Sequence, residues 1–229
     1  MNIAGLQKMT LLDFPGRIAC TVFLPGCNLR CPFCHNASLV LPQREKDVIT
    51  EEALLDFLKL RKKKLDGVCV TGGEPTLYID LPDLLKKIKD LGFQVKLDTN
   101  GTNPKMLGQI LKDGLCDYVA MDIKNSPDKY AATCGGVDVL DAVKESVSIL
   151  MKSSTEYEFR TTVMHPYHDP EDFVKIGQWL QGAKQYFIQC FVDSGDLLSQ
   201  ECTVLTETQV KALKDAVQTY IPNTQLRGM

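Results

Sequence analysis

The sequence has no apolar run long enough to cross a membrane, and residues 1–10 lack the continuous apolar stretch of a secretory signal. It is therefore expected to be cytoplasmic and to have no membrane partner. It also lacks an excess of positive charge. Its 26 Lys and Arg stand against 29 Asp and Glu, giving a net charge of −3. Nothing here makes the basic field that nucleic acid requires, so no nucleic-acid partner is expected. The one basic run, residues 61–64, trails an amphipathic pattern and reads as a solvated helix end. No internal repeat, low-complexity stretch or Gly/Ser linker divides the chain. Its 229 residues, 1–229, thus read as a single domain large enough to bury its own core.

Cysteine is plentiful by comparison. There are nine, an odd number at irregular spacing, which argues against a secreted disulfide framework. In a reducing compartment, clustered cysteines are more often metal ligands or catalytic groups.

Strand-like and helix-like segments alternate. Strands are expected at 18–24, 68–71, 93–97, 118–123, 157–164 and 186–192. Helices are expected at 50–64, 81–91, 104–112, 138–152, 169–180 and 206–220. Thr50 and Thr206 sit where helix caps belong, and Gly92 and Gly114 follow helix ends. In the first helix Ala53, Leu54, Phe57, Leu58 and either Leu60 or Leu65 supply the apolar stripe. Such alternation implies parallel strands with right-handed crossovers. The fold class is α/β, and about six units suit an open, partial (β/α)6 TIM-like barrel with its site at the C-terminal strand ends. A doubly wound sheet has the same periodicity.

Cys27, Cys31 and Cys34 place three thiols within eight residues just after the first strand. Thiolates are soft ligands that favour iron–sulfur clusters or zinc. Three ligands can wrap three corners of a four-iron cluster, leaving one iron free to dock a substrate, whereas an electron-transfer cluster uses four. Zinc is the alternative, with His35 as fourth ligand. Adjacent residues on an extended loop point apart, which strains the Cys34–His35 pair.

Polar residues recur at the ends of the later strands. Thr71-Gly72-Gly73-Glu74-Pro75 ends the second; its glycines allow a ligand close to the backbone, and its carbonyls and carboxylate can accept from an ammonium group. Asp98-Thr99-Asn100-Gly101 and Asp122-Ile123-Lys124 end the third and fourth. Arg160 is a cation inside the fifth and needs a partner if buried. Each alone reads as a turn or a salt bridge, but together they converge on one mouth.

The spacing Cys27-x3-Cys31-x2-Cys34, with Phe33 before the last cysteine, resembles the signature of the radical SAM superfamily, and Thr71–Pro75 resembles its glycine-rich motif. Asp98–Gly101 and Asp122-x-Lys124 are similar to activating enzymes for glycyl radical proteins. The N-terminal stretch from Gly5 to Gly16 is similar to a short subgroup, the anaerobic ribonucleoside-triphosphate reductase activating proteins. The resemblance implies a [4Fe-4S] cluster on Cys27, Cys31 and Cys34 and bound S-adenosyl-L-methionine. Gly72, Gly73 and Glu74 would face its amino group, Lys124 and Arg160 its carboxylate and ribose, and Asn36 its adenine. Asp98 and Asp122 would flank the ligand with Asn100 nearby, and with the backbone oxygens of Thr99 and Ile123 would hold a monovalent cation. The resemblance further implies an oxidoreductase that makes a 5′-deoxyadenosyl radical and a glycyl radical on a partner, anaerobic ribonucleotide reductase. A flavodoxin- or ferredoxin-type donor would supply electrons. The alternatives are a radical enzyme acting on a small molecule and a non-enzymatic zinc protein.

Between Cys34 and Thr71 lie only 36 residues, too few ligands among them for the extra clusters some activators carry. No catalytic acid or base is assigned. Cys69, Cys116, Cys134, Cys190 and Cys202 read as structural. Cys134 is the one expected in an accessible loop. His165 and His168, after the fifth strand, read as structural by default.

Overall fold

The computed structural model describes residues 1–40, 48–193, 195–199 and 201–229. Its strands are β1 (Asn2–Ile3), β2 (Gly5–Thr10), β3 (Ala19–Leu24), β4 (Ile49–Thr50), β5 (Gly67–Gly72), β6 (Gln94–Thr99), β7 (Tyr118–Asp122), β8 (Glu156–Val163), β9 (Tyr186–Cys190) and β10 (Thr224–Arg227). Its α-helices are α1 (Ala37–Val40), α2 (Glu51–Arg61), α3 (Leu81–Asp90), α4 (Pro104–Lys112), α5 (Tyr130–Thr133), α6 (Leu140–Lys152), α7 (Pro170–Trp179) and α8 (Glu207–Gln218).

The main sheet has eight strands in the order β10-β9-β8-β7-β6-β5-β3-β2. β3 and β5 to β10 run parallel, and β2 joins antiparallel at the edge. Spatial order follows chain order without a switch. A doubly wound sheet reverses its order part-way, so the partial barrel is the architecture present. Each edge strand pairs on one side only among the described residues, so the barrel stays open.

Local chemistry sets the elements. Thr50 caps α2 by accepting from the Ala53 N–H at 3.2 Å, and Asp169 and Thr206 head reciprocal capping boxes on α7 and α8. Leu54, Leu58 and the following Leu65 are buried, while Leu60 is 82% exposed, so Leu65 completes the stripe.

Alternate strand residues divide the chemistry. Val68, Val70, Val95, Leu97, Val119, Met121, Phe159 and Ile188 join one apolar cluster with the helices. The intervening positions carry polar groups into the barrel, whose interior in a full eight-stranded barrel is largely branched aliphatic. Deep in that interior, Glu158 is fully buried and takes both Arg227 guanidinium nitrogens, at 2.6 and 2.8 Å, and the Tyr118 hydroxyl at 2.8 Å. The Arg227 guanidinium lies 3.4 Å from the Phe187 ring centroid. No helix of the described residues is long and apolar enough to cross a membrane.

Candidate active site

A cavity of about 390 Å³ opens at the C-terminal strand ends and runs into the barrel. All twelve residues singled out from the sequence line it: Cys27, Cys31, Cys34, Asn36, Gly72, Gly73, Glu74, Asp98, Asn100, Asp122, Lys124 and Arg160. They come from positions up to 133 apart in sequence, which is what strand ends on one rim achieve.

The cysteine loop leaves β3 and is pinned from several sides. The Cys27 sulfur accepts the Leu29 N–H at 3.4 Å and the Asn100 side-chain amide at 3.8 Å. Asn100 also donates to Asn28 Oδ1 at 3.0 Å, so its amide grips the loop. The Cys34 N–H bonds the Cys31 carbonyl at 3.0 Å. Burial holds the Cys27 and Cys34 thiols above their ordinary value, against the pull of the Lys124 ammonium. Cys31 is lowered, first by a hydrogen bond with the Cys134 thiol, with burial opposing and Lys124 assisting. Cys134 is therefore no accessible loop thiol: it is fully buried, and its carbonyl accepts the Arg30 N–H at 3.2 Å.

His35 lines the same cavity as these thiols. Its Nδ1 lies 3.2 Å from the Val192 carbonyl, and its ring packs 5.5 Å from Phe191. Among the described residues no three His, Cys, Asp or Glu are grouped to hold a single metal ion. Three thiols on one short loop suit a soft-metal group.

Glu74 lines the cavity and is also tied into the frame around it. It is fully buried, and four donors occupy its carboxylate. Thr76 N–H (3.0 Å), Thr76 Oγ1 (2.5 Å) and Thr99 Oγ1 (2.7 Å) bond Oε1, and the Asn100 N–H bonds Oε2 at 2.6 Å. Burial raises its pKa against these four bonds. The carboxylate ties the end of β5 to the end of β6.

The two glycines also have a nearer partner than a ligand. A Cβ on Gly72 would stand 2.2 Å from the Leu24 carbonyl oxygen, and one on Gly73 would stand 1.8 Å from that of Gly26. Gly73 and Glu74 N–H groups bond those same carbonyls at 2.9 and 2.8 Å. Glycine is required here because the backbone leading into the cysteine loop lies against it.

The charged groups form one alternating ladder across the barrel. Lys96 pairs with Asp98 Oδ1, Arg160 with Asp98 Oδ2 at 3.2 Å and Asp122 Oδ1 at 2.9 Å, and Lys124 with Asp122 Oδ2 at 2.9 Å. Burial works against each carboxylate, but Arg160 and its flanking lysines hold Asp98 and Asp122 below the ordinary range. Burial likewise works against Lys124, and Asp122 with Cys31 raises it above its usual value. The Asp98–Asp122 pair, expected to embrace a monovalent cation, is bridged by Arg160. The Ile123 carbonyl expected beside it accepts from Thr161 Oγ1 at 2.8 Å.

Several cavity residues escaped the sequence reading. Thr162 and Gln189 line it, as does Asp13, which accepts from Thr21 Oγ1 at 2.5 Å. Thr162 lies two residues after Arg160, so strand parity pointed to it. His168 is buried behind the site, its Nε2 2.9 Å from the Lys124 carbonyl; His165 pairs with Thr203 by backbone bonds.

The stretch of chain that builds most of this cavity matches a family model. The model described as the Radical SAM superfamily covers residues 21–180, more than half of the chain. The chain belongs to the radical SAM superfamily. Membership implies a [4Fe-4S] cluster and S-adenosylmethionine, and the donor set fits the first. This radical SAM protein is 31% identical over 98% of its length to a Methanocaldococcus jannaschii protein named as a glycyl-radical enzyme activating enzyme, covering 95% of that relative. It is 35% identical, over 56% of its length and 54% of the relative, to the pyruvate formate-lyase-activating enzyme of Clostridium pasteurianum. Among solved structures it is similar in fold to Streptococcus suis SuiB bound to its precursor peptide SuiA. The TM-score there is 0.72 at 17% identity over 91% of this chain, which spans about half (48%) of SuiB.

Proposed function

We propose that this radical SAM enzyme activates a glycyl radical enzyme, and that anaerobic ribonucleotide reductase is that partner. The observation that carries the reading is the near-full-length likeness to a protein named as a glycyl-radical enzyme activating enzyme. The short N-terminal subgroup motif supports the choice of reductase, and a flavodoxin or ferredoxin is the electron donor of this reading.

When bound, a [4Fe-4S] cluster would supply the single electron for reductive cleavage of S-adenosylmethionine, the chemistry that would let hydrogen be taken from a partner glycine. The protein's own residues position and shield. Cys27, Cys31 and Cys34 hold the cluster, and the cavity side of the Gly72–Gly73 turn receives the amino group through backbone carbonyls. Lys124 and Arg160 meet the carboxylate and ribose, and Asn36, at the head of α1, stands by the adenine. Asp98, Asp122 and Asn100 orient these groups without touching the reacting atoms. Burial around the cavity excludes water from the radical.

The test mixes anaerobically reconstituted, reduced protein with S-adenosylmethionine and the candidate reductase. A glycyl doublet in the electron paramagnetic resonance spectrum is expected. Release of 5′-deoxyadenosine with no doublet on any glycyl radical protein points to a small-molecule substrate, and zinc in place of iron in anaerobically purified protein removes the radical reading.

A further inference from the structure

Lys96 has no part in the mechanism above, yet its ammonium is buried inside the barrel, the side chain 2% exposed. It does not line the cavity. It lies two residues before Asp98 on β6, so both project to the same face. Its Nζ pairs with Asp98 Oδ1, and its other polar neighbour is the Cys69 sulfur at 3.8 Å. Asp98 Oδ2 is thereby left to Arg160 at 3.2 Å.

Charge along the ladder decides what this does. Lys96, Arg160 and Lys124 face Asp98 and Asp122, three cations to two carboxylates. The nearby Glu158 is matched separately by Arg227. Without Lys96 the ladder is neutral, and Arg160 is shared between two carboxylates with no positive charge left over for a ligand's carboxylate. A monovalent cation beside Asp98 would restore the same balance. Lys96 already stands there, its ammonium paired with Asp98 inside the barrel.

We propose that the Lys96 ammonium takes the place of a monovalent cation, neutralising Asp98 from beneath so that the ligand's carboxylate binds without an added alkali-metal ion. Lys96 is on this account a positioning residue, and the inference rests on the proposed binding of S-adenosylmethionine at Lys124 and Arg160.

The test is titration calorimetry of S-adenosylmethionine into reconstituted protein, in buffers whose only cation is tetramethylammonium, Na⁺ or K⁺. Wild type is expected to bind equally in all three. Lys96→Met should bind roughly tenfold more weakly in tetramethylammonium and recover in Na⁺ or K⁺, and Lys96→Arg should behave as wild type. A K⁺ requirement in wild type overturns the proposal, as does Lys96→Met binding at wild-type strength without alkali metal. Should Lys96→Met fail to fold, Lys96→Gln replaces it and is expected to show the same recovery in Na⁺ or K⁺. No binding by wild type in any buffer overturns the functional reading itself.

Discussion

Glu74 Oε2 accepts the Asn100 backbone N–H at 2.6 Å, and through that bond the end of one strand fixes the end of its neighbour. Because Asn100 in turn holds Asn28 and Cys27, the carboxylate acts on the cysteine loop at one remove. Glu74→Ala strands four buried donors. The expected cost is about 3 kcal/mol or more, read as a lower denaturant midpoint at unchanged slope, with Glu74→Gln losing less.

Gly73→Ala meets backbone, which cannot rotate away. The barrel should survive, since the clash lies in the connections rather than the sheet. The cysteine loop should shift, so iron bound per chain after reconstitution is expected to fall well below wild type while the far-ultraviolet circular dichroism is retained. Full iron content would show that the two loops move together.

Cluster loading requires thiolates, and burial raises the Cys27 and Cys34 thiols. Loading should therefore rise with pH. Lys124 lowers all three thiols, so Lys124→Met is expected to need a higher pH for the same iron content. The measurement is iron and sulfide per chain across a pH series.

Asp98 and Asp122 are held below the ordinary carboxylate value of 3.8. A depressed folded-state pKa contributes stability that is whole above the unfolded pKa and lost as pH falls through the folded one. Wild-type unfolding free energy should thus drop as pH falls below about 4. Arg160→Met removes the cation they share, so its curve should lie lower near neutrality and fall less steeply in acid. Parallel curves would deny the bridge an energetic role.

The six central strands were legible because each is an apolar or β-branched run with a helix pattern after it. The edge strands were not. β2 alternates little and leaves Gln7, Lys8 and Met9 exposed, and β10 is four residues long. The site was legible wherever residues stood at a strand's end. It was hidden where a polar residue sat inside a strand-like run: Lys96 in Phe93–Leu97 read only as part of a strand, although it shares parity with Asp98. The roles of Glu74 and of the two glycines were hidden for another reason. Their partners, Asn100 and the backbone of Leu24 and Gly26, are set by strand pairing rather than by sequence spacing. Cys134 was misread because only the fold brings its loop against Cys31.

The cavity's walls run from Asp13 to Gln189, so no short contiguous fragment of the chain contains them. Capturing the cofactor and completing the fold are consequently one equilibrium. Occupancy of this cavity should raise the melting temperature of the whole chain by mass action. A substitution that loosens a remote helix would then appear at the bench as a weaker apparent affinity, with every residue of the cavity unchanged.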